Sequence, residues 1–516
     1  MIIHDSPFDD VPLRNCSITE RIFDGLKRAP DAVVLIDGPT GRTVTARQLM
    51  DDIRSVAGGL NSLGAGTGRT VALMAPNSPE YCTIFHAMAW AGGTITTVNP
   101  AYTASEVRHQ LDDAGADWLI TVGEAEATAR TATEGTDIGL IVLGDDTDPV
   151  ADLRGAPIES QVPVDLDNHV VVLPYSSGTT GLPKGVMLSH RNLVVNVDQI
   201  LAVGDIDPGE ITPVFLPFFH IYGLEIMMNC YLAAGAGLVA TLPRFDLELF
   251  LRLAQDHRAK RLWVVPPVAI ALAKHPLVDQ YDLSSVVQVN SAAAPLGADL
   301  SEAVSARLGC PATQAYGMTE LSPASHVMPL ASPRPGAVGQ TVPNTQCRIV
   351  DIDTGDDLGT DAEGELWIKG PQVMLGYLNK PEATAAMIDT DGWLRTGDIG
   401  KFDQEGYLFI TDRLKELIKT NGFQVAPAEL EAVLITHPQI ADAAVIGVPD
   451  DKAGEVPIAF LVSASEEPPS LEDLQAYLSQ QLSSYKQIQR ANFVDTIPKS
   501  ASGKILRREL RDLPLS

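Results

Sequence analysis

A rhythm of short apolar runs limits what this chain can fold into. Runs at 71–74, 94–98, 118–122, 140–143 and 170–173 alternate with segments of helical apolar spacing such as 79–91. The rhythm returns at 213–216, 238–242, 262–265 and 286–289. Strands separated by helices imply parallel sheets with helices on their faces, so the fold class is α/β. Two such series predict two α/β subdomains. At 516 residues the chain exceeds what one core usually supports, and further units are expected. After about Met328 the texture changes. As far as Ile410, Gly, Pro and Asp punctuate β-like runs at 346–350, 364–368 and 407–410, which predicts a small β-barrel-like unit. From Asp412 a compact α+β pattern runs to the end. Helices are expected at 427–436 and 471–482, with strands at 443–448 and 458–462. The expected division is 1–411 and 412–516, the second part small and mobile.

Composition excludes some partners. A net charge of −29 argues against nucleic acid, whose phosphates demand a basic face, and against anionic membrane surfaces. Five cysteines are scattered, with no pair at metal-ligand spacing, and read as reduced thiols of a cytoplasmic protein. The acidic first twelve residues lack the basic start of a signal peptide. The ending Leu513-Pro514-Leu515-Ser516 is not a peroxisomal address. The stretch 215–242 is strongly apolar but contains Pro217, His220, Glu225, Asn229 and three glycines. A loop, a buried helix and a strand explain it better than a membrane span.

Chemistry enters with Ser176-Ser177-Gly178-Thr179-Thr180-Gly181-Leu182-Pro183-Lys184-Gly185, which follows the apolar run at 170–175. Glycines let backbone N–H groups converge on an anion, hydroxyls add donors, and Lys184 adds a full charge. Such a loop suits a polyphosphate. It is not a Walker A loop, because Lys184 follows proline and precedes glycine. A Ser/Gly surface linker is the bland alternative, but linkers rarely follow a β-branched strand and end in Pro-Lys-Gly.

The string resembles the phosphate loop of the adenylate-forming superfamily of acyl-CoA synthetases, adenylation domains and luciferases. Further strings resemble that family's motifs in register: Ser291-Ala292-Ala293-Ala294-Pro295-Leu296-Gly297, Gln314-Ala315-Tyr316-Gly317-Met318-Thr319-Glu320, Thr396-Gly397-Asp398, Asp412-Arg413-Leu414-Lys415-Glu416-Leu417-Ile418-Lys419 and Pro498-Lys499-Ser500-Ala501-Ser502-Gly503-Lys504. Gly370-Pro371-Gln372-Val373-Met374 and Gly422-Phe423-Gln424-Val425-Ala426-Pro427 look most like the 4-coumarate–CoA ligase branch.

The resemblance implies roles. Ser176 to Gly181 with Lys184 would hold the phosphates. Ala292, Ala293, Gln314, Ala315, Tyr316, Thr319 and Gln424 would contact ATP or AMP. Asp398 would bind the ribose hydroxyls, and Arg413 would contact the ribose. Glu320 and Thr180 would hold Mg²⁺. Lys504 would be catalytic in adenylation, Lys415 a hinge, and Lys419 active in the second half-reaction. His220, in Phe218-Phe219-His220-Ile221-Tyr222-Gly223, would position the carboxylate, with base catalysis left open. It would share the acyl pocket with Tyr222, Ala292 and Ala315. Arg244, Asn421 and Gly422 would meet coenzyme A. Some positions depart from the branch. Asn290 and Asn421 stand where lysine is common, and Ala292 and Ala315 where glycine is frequent, so two added methyls should narrow or reshape the acyl pocket.

The implied activity is ATP-dependent ligation of an apolar carboxylic acid to coenzyme A through an acyl-adenylate, by a monomer or homodimer. A medium- or long-chain fatty acyl-CoA synthetase is one alternative, and a luciferase-like or non-CoA adenylating enzyme another.

Overall fold

Five strands, Val170–Ser176, Thr94–Thr97, Thr70–Met74, Trp118–Val122 and Gly139–Leu143, run parallel in that spatial order and account for the first rhythm. Helix Pro79–Trp90 packs on this sheet. Ser78 caps it, Pro79 fills its first position, and all twelve residues are buried. Two further strands, Lys184–Ser189 and Gly376–Tyr377, extend the sheet antiparallel beyond Val170–Ser176. The computed structural model describes all residues except 145–147, 177–182, 236, 241–244, 421–422, 451–452, 483–485, 501–502 and 514–516; of residues 239–240 and 423–424 it describes the backbone.

The second rhythm divides between two sheets. Pro213–Val214 and Leu238–Ala240 join Val33–Asp37 and Thr43–Thr45 in a small sheet. Arg261–Val264, Gln288–Ser291 and Ala312–Gly317 form the parallel end of a larger one. That larger sheet continues, through Ala324–Val327, into the expected β unit. The β unit is therefore not a free-standing barrel. Its strands, including Gln346–Val350, Gly364–Lys369, Leu394–Phe402 and Tyr407–Arg413, extend an open sheet that does not close. The turn after Gly317 allows this, because it reverses the chain within a few residues and hands a parallel edge to an antiparallel neighbour.

The stretch 215–242 folds as a buried π-helical segment, Tyr222–Cys230, a short helix, Tyr231–Ala234, and the strand Leu238–Ala240. No helix among the described residues is long and apolar enough to cross a membrane.

The last hundred residues build their own sheet from Phe423–Val425, Ile418–Thr420, Gly454–Ser463, Ile440–Asp450 and Arg490–Phe493. Side chains alternate across it. Ala443, Val445, Ala459 and Leu461 face helices Pro427–Leu434 and Leu471–Ser479 through Leu430, Leu434, Leu474 and Leu478. Ala444, Ile446, Ile458 and Phe460 face Ile497 and Leu510 on the other side. Each fully buried Leu or Ile contributes about 1.5–3 kcal/mol, and neither of these clusters is shared with the main core.

Candidate active site

A cavity of about 640 Å³ opens where the first sheet, the larger sheet and the terminal unit meet. Its size suits a small organic ligand. On one wall, the hairpin of Val170–Ser176 and Lys184–Ser189 sets Tyr175 opposite Gly185 and Ser176 opposite Lys184. The phosphate-like loop thus joins two antiparallel strands rather than a strand and a helix. Ser176 and Lys184 line the cavity. Ser177, Gly178, Thr179, Thr180 and Gly181 lie outside the described residues. The Tyr175 hydroxyl donates to Asp113 Oδ2 at 2.7 Å, pinning the base of the hairpin.

Lys184 Nζ stands 4.7 Å from the centre of the Tyr377 ring, a cation–π distance. The Tyr377 hydroxyl in turn donates to Glu320 Oε1 at 2.8 Å. Burial and the neighbouring carboxylate both raise the Tyr377 phenol, so it stays a donor. Tyr377 is a site residue that sequence reasoning missed. Its only signal was a Gly-Tyr pair between β-like runs, and its importance comes from strand pairing with Val186.

The opposite wall holds Asp398, 4% exposed, on the strand paired with Tyr407–Arg413. Asp398 and Arg413 are cross-strand neighbours, with Arg413 Nε 3.1 Å from Asp398 Oδ1. The Tyr316 hydroxyl donates to Asp398 Oδ2 at 2.5 Å. A carboxylate has about four acceptor sites, so two remain for a vicinal diol. Thr396 fixes the turn, its hydroxyl accepting the Asp398 N–H at 3.0 Å and donating to the Leu366 carbonyl at 2.7 Å.

Lys504 reaches the cavity from the terminal unit. Its loop is closed by three hydrogen bonds around Ser500: Ser500 N–H to the Lys504 carbonyl, Gly503 N–H to the Ser500 carbonyl, and Lys504 N–H to Ser500 Oγ, at 2.8, 2.8 and 3.1 Å. Gly503 has φ +80°, and a Cβ there would stand 3.2 Å from Val265 of the large unit. Glycine is needed both for that backbone and for that approach. Burial lowers the Lys504 ammonium to about 8. Arg413 pushes the same way, while Glu416, Asp398 and Glu320 oppose it.

His220 lines the cavity with Tyr222, Ala292 and Ala315. Burial, then the charge of Lys504, holds its imidazole down at about 4. It is neutral near pH 7, and its Nδ1 accepts the Tyr222 N–H at 3.3 Å, which assigns the proton to Nε2. Among the described residues, the buried Tyr222 hydroxyl and Asn290 Oδ1 have no partner, and both residues line the cavity.

Ala293, Tyr316, Thr319, Glu320, Arg413 and Lys415 also line it. Gln314 does not; its Oε1 accepts the Leu296 N–H at 2.7 Å and so shapes the Ala-rich loop. Lys419 is exposed and away from the cavity, its N–H donating to Glu455 Oε2 at 2.9 Å. Arg244, Asn421 and Gly422, and the side chain of Gln424, lie outside what is described.

The family described as AMP-binding enzyme matches residues 22–378, and its C-terminal domain matches 429–504. 4-Coumarate–CoA ligase 1 of Petroselinum crispum is 44% identical over 505 residues, covering 95% of this chain and 92% of that protein. 4-Coumarate–CoA ligase 1 of Arabidopsis thaliana is 40% identical, with coverage of 99% and 95%. Among solved structures, ATP-bound MatB from Rhodopseudomonas palustris superposes with a TM-score of 0.88 at 30% identity, covering 96% of this chain and 99% of that one. A lysine, an aspartate and a glutamate drawn from distant segments onto one cavity, with a matching family over most of the length, place this chain among the AMP-binding enzymes.

Proposed function

We propose that the cavity carries out ATP-dependent ligation of a carboxylic acid to coenzyme A in two steps. A carboxylate oxygen first attacks the α-phosphorus of ATP. A P–O bond forms, the α–β bridge breaks, and pyrophosphate leaves. The coenzyme A thiolate then attacks the acyl carbon, and AMP leaves with the electrons of the acyl–oxygen bond.

The observation that carries this reading is the convergence of Lys504 on the cavity that Asp398 and Glu320 also line. Asp398 holds the ribose diol, Lys184 and the loop before it hold the outer phosphates, and Lys504 stabilises charge developing at the α-phosphate. Neutral His220 donates through Nε2 to the acid's carboxylate, which favours positioning over base catalysis. Glu320 is an oxygen donor, 3% exposed, whose hydrogen-bond partner among the described residues is Tyr377. Its carboxylate suits Mg²⁺, which when bound would screen phosphate charge; Thr180, the second ligand proposed, lies outside the described residues.

The acyl end is apolar, with Ile200, Ile226 and Val327 on its walls. The unpartnered Tyr222 hydroxyl and Asn290 amide favour an acid with one hydrogen-bonding group at its far end over a plain fatty chain.

The chain divides at 411/412, a reading supported by the separate core that begins at Ile418. After adenylation the terminal unit turns about Lys415, withdraws Lys504 and brings Lys419 to the thiol channel near Arg244, Asn421 and Gly422. A reducing cytoplasm suits the five free cysteines.

The test supplies MgATP and acids from hydroxycinnamic to medium-chain. AMP and pyrophosphate should appear only with an accepted acid, and thioester only when coenzyme A is added. Absence of AMP with every acid would overturn the reading.

A further inference from the structure

The strand Tyr407–Arg413 carries a buried carboxylate that neither step uses. Asp412 is 4% exposed and meets the start of helix Pro427–Leu434, in the terminal unit. That helix cannot cap itself. Its N-cap residue is Ala426, which has no side-chain acceptor, and Pro427 fills the first position. The N–H groups of a first turn have no intrahelical partner and need one from elsewhere.

The Ala428 N–H finds its acceptor on the other side of Lys415 in the chain. It donates to Asp412 Oδ2 at 3.1 Å, while Asp412 Oδ1 accepts the Arg413 N–H at 2.6 Å. A carboxylate is favourable at a helix N-terminus. Arg507, from the last helix, and Glu431, from the capped helix, also act on Asp412, in opposite senses. Arg507 is paired with Glu416 at 3.2 Å and Glu431 at 3.0 Å. Glu416, Glu431 and Arg507 all follow Lys415 in the chain, so they travel together if the unit turns there. Asp412 precedes Lys415 and Ala428 follows it. A turn about Lys415 therefore separates this donor from this acceptor.

We propose that Asp412 is a positioning residue of the adenylation step, capping the terminal helix from the N-terminal side of the Lys415 hinge in that arrangement and releasing it for thioester formation. This rests on the two-step reading above.

Asp412→Ala should slow acid-dependent pyrophosphate release by roughly 3- to 30-fold, the range expected from losing one cap. Thioester formation from a supplied acyl-adenylate should stay unchanged or rise. A second variant adds Ala426→Asp to Asp412→Ala and gives the helix a cap of its own. Its melting temperature should return to that of the wild type, while adenylation stays slow. Recovery of adenylation together with stability would overturn the proposal, because Asp412 would then serve only the helix. Equal loss of both half-reactions in the double variant would overturn it too. Failure of the two-step reading shows separately, in the wild type, as no AMP formed with any acid.

Discussion

The two walls of the cavity are built differently. The Asp398 wall is two paired strands inside a large sheet, and both oxygens of its carboxylate are engaged before any ligand arrives. The Lys504 side is one loop tip on a small unit with its own core, its described hydrogen bonds including three around Ser500, and Gly503 lies so near Val265 that a Cβ would stand 3.2 Å away. The difference teaches a division of labour. On the proposed reading, groups that recognise the nucleotide sit on rigid elements, and the cation that serves one half-reaction sits where it can leave, at the cost of weaker anchoring.

The sharpest way to break this comparison is to remove each side in turn. Lys504→Ala should lower adenylation by about 100- to 1,000-fold, the usual effect of losing one transition-state donor, yet leave thioester formation from supplied acyl-adenylate within a few-fold. Single-turnover assays of each half-reaction check this, and equal losses would end the assignment. Asp398→Ala should instead raise KM for ATP by about 10- to 100-fold. It should also cost about 1–3 kcal/mol of stability, because the buried Tyr316 hydroxyl loses its acceptor; urea titration with ATP kinetics reads both.

Gly503→Ala sharpens the contrast at the contact itself. The left-handed backbone alone costs about 1–2 kcal/mol, so adenylation should fall by roughly 5- to 30-fold with nucleotide binding little changed. Isothermal titration with ATP separates the two.

A pH profile gives a smaller signal. Lys504 must be charged to act, and burial lowers it to about 8. Adenylation kcat/KM should therefore fall as pH rises through about 8. The fall in kcat should come at higher pH, because bound phosphates favour the ammonium. Lys504→Arg should move the fall upward or abolish it. The smallest expected change belongs to Tyr222→Phe. It should leave stability within about 1 kcal/mol and shift preference away from acids with a polar far end, as a competition assay would read.

Part of the cavity lining was legible because it is local. The Thr-Gly-Asp turn and the Gly-Lys tip each encode a backbone shape in consecutive residues. Less was legible in the β unit, where Gly and Pro spacing marked the strands but not the sheet they would join. Tyr377 escaped notice because its role depends on strand pairing with Val186 and on a ring placed between Lys184 and Glu320. Asp412 read as the start of a charged segment; its duty as a cap exists only because Ala426 leaves a helix start bare.

Residue order alone settled the alternating α/β architecture and the terminal α+β pattern, since apolar period and turn chemistry act over a few neighbouring residues. Three-dimensional packing decided which strands share a sheet, how far burial depresses Lys504 and His220, and which groups meet across the unit boundary. Those depend on distances and desolvation between segments hundreds of residues apart, which no local pattern encodes.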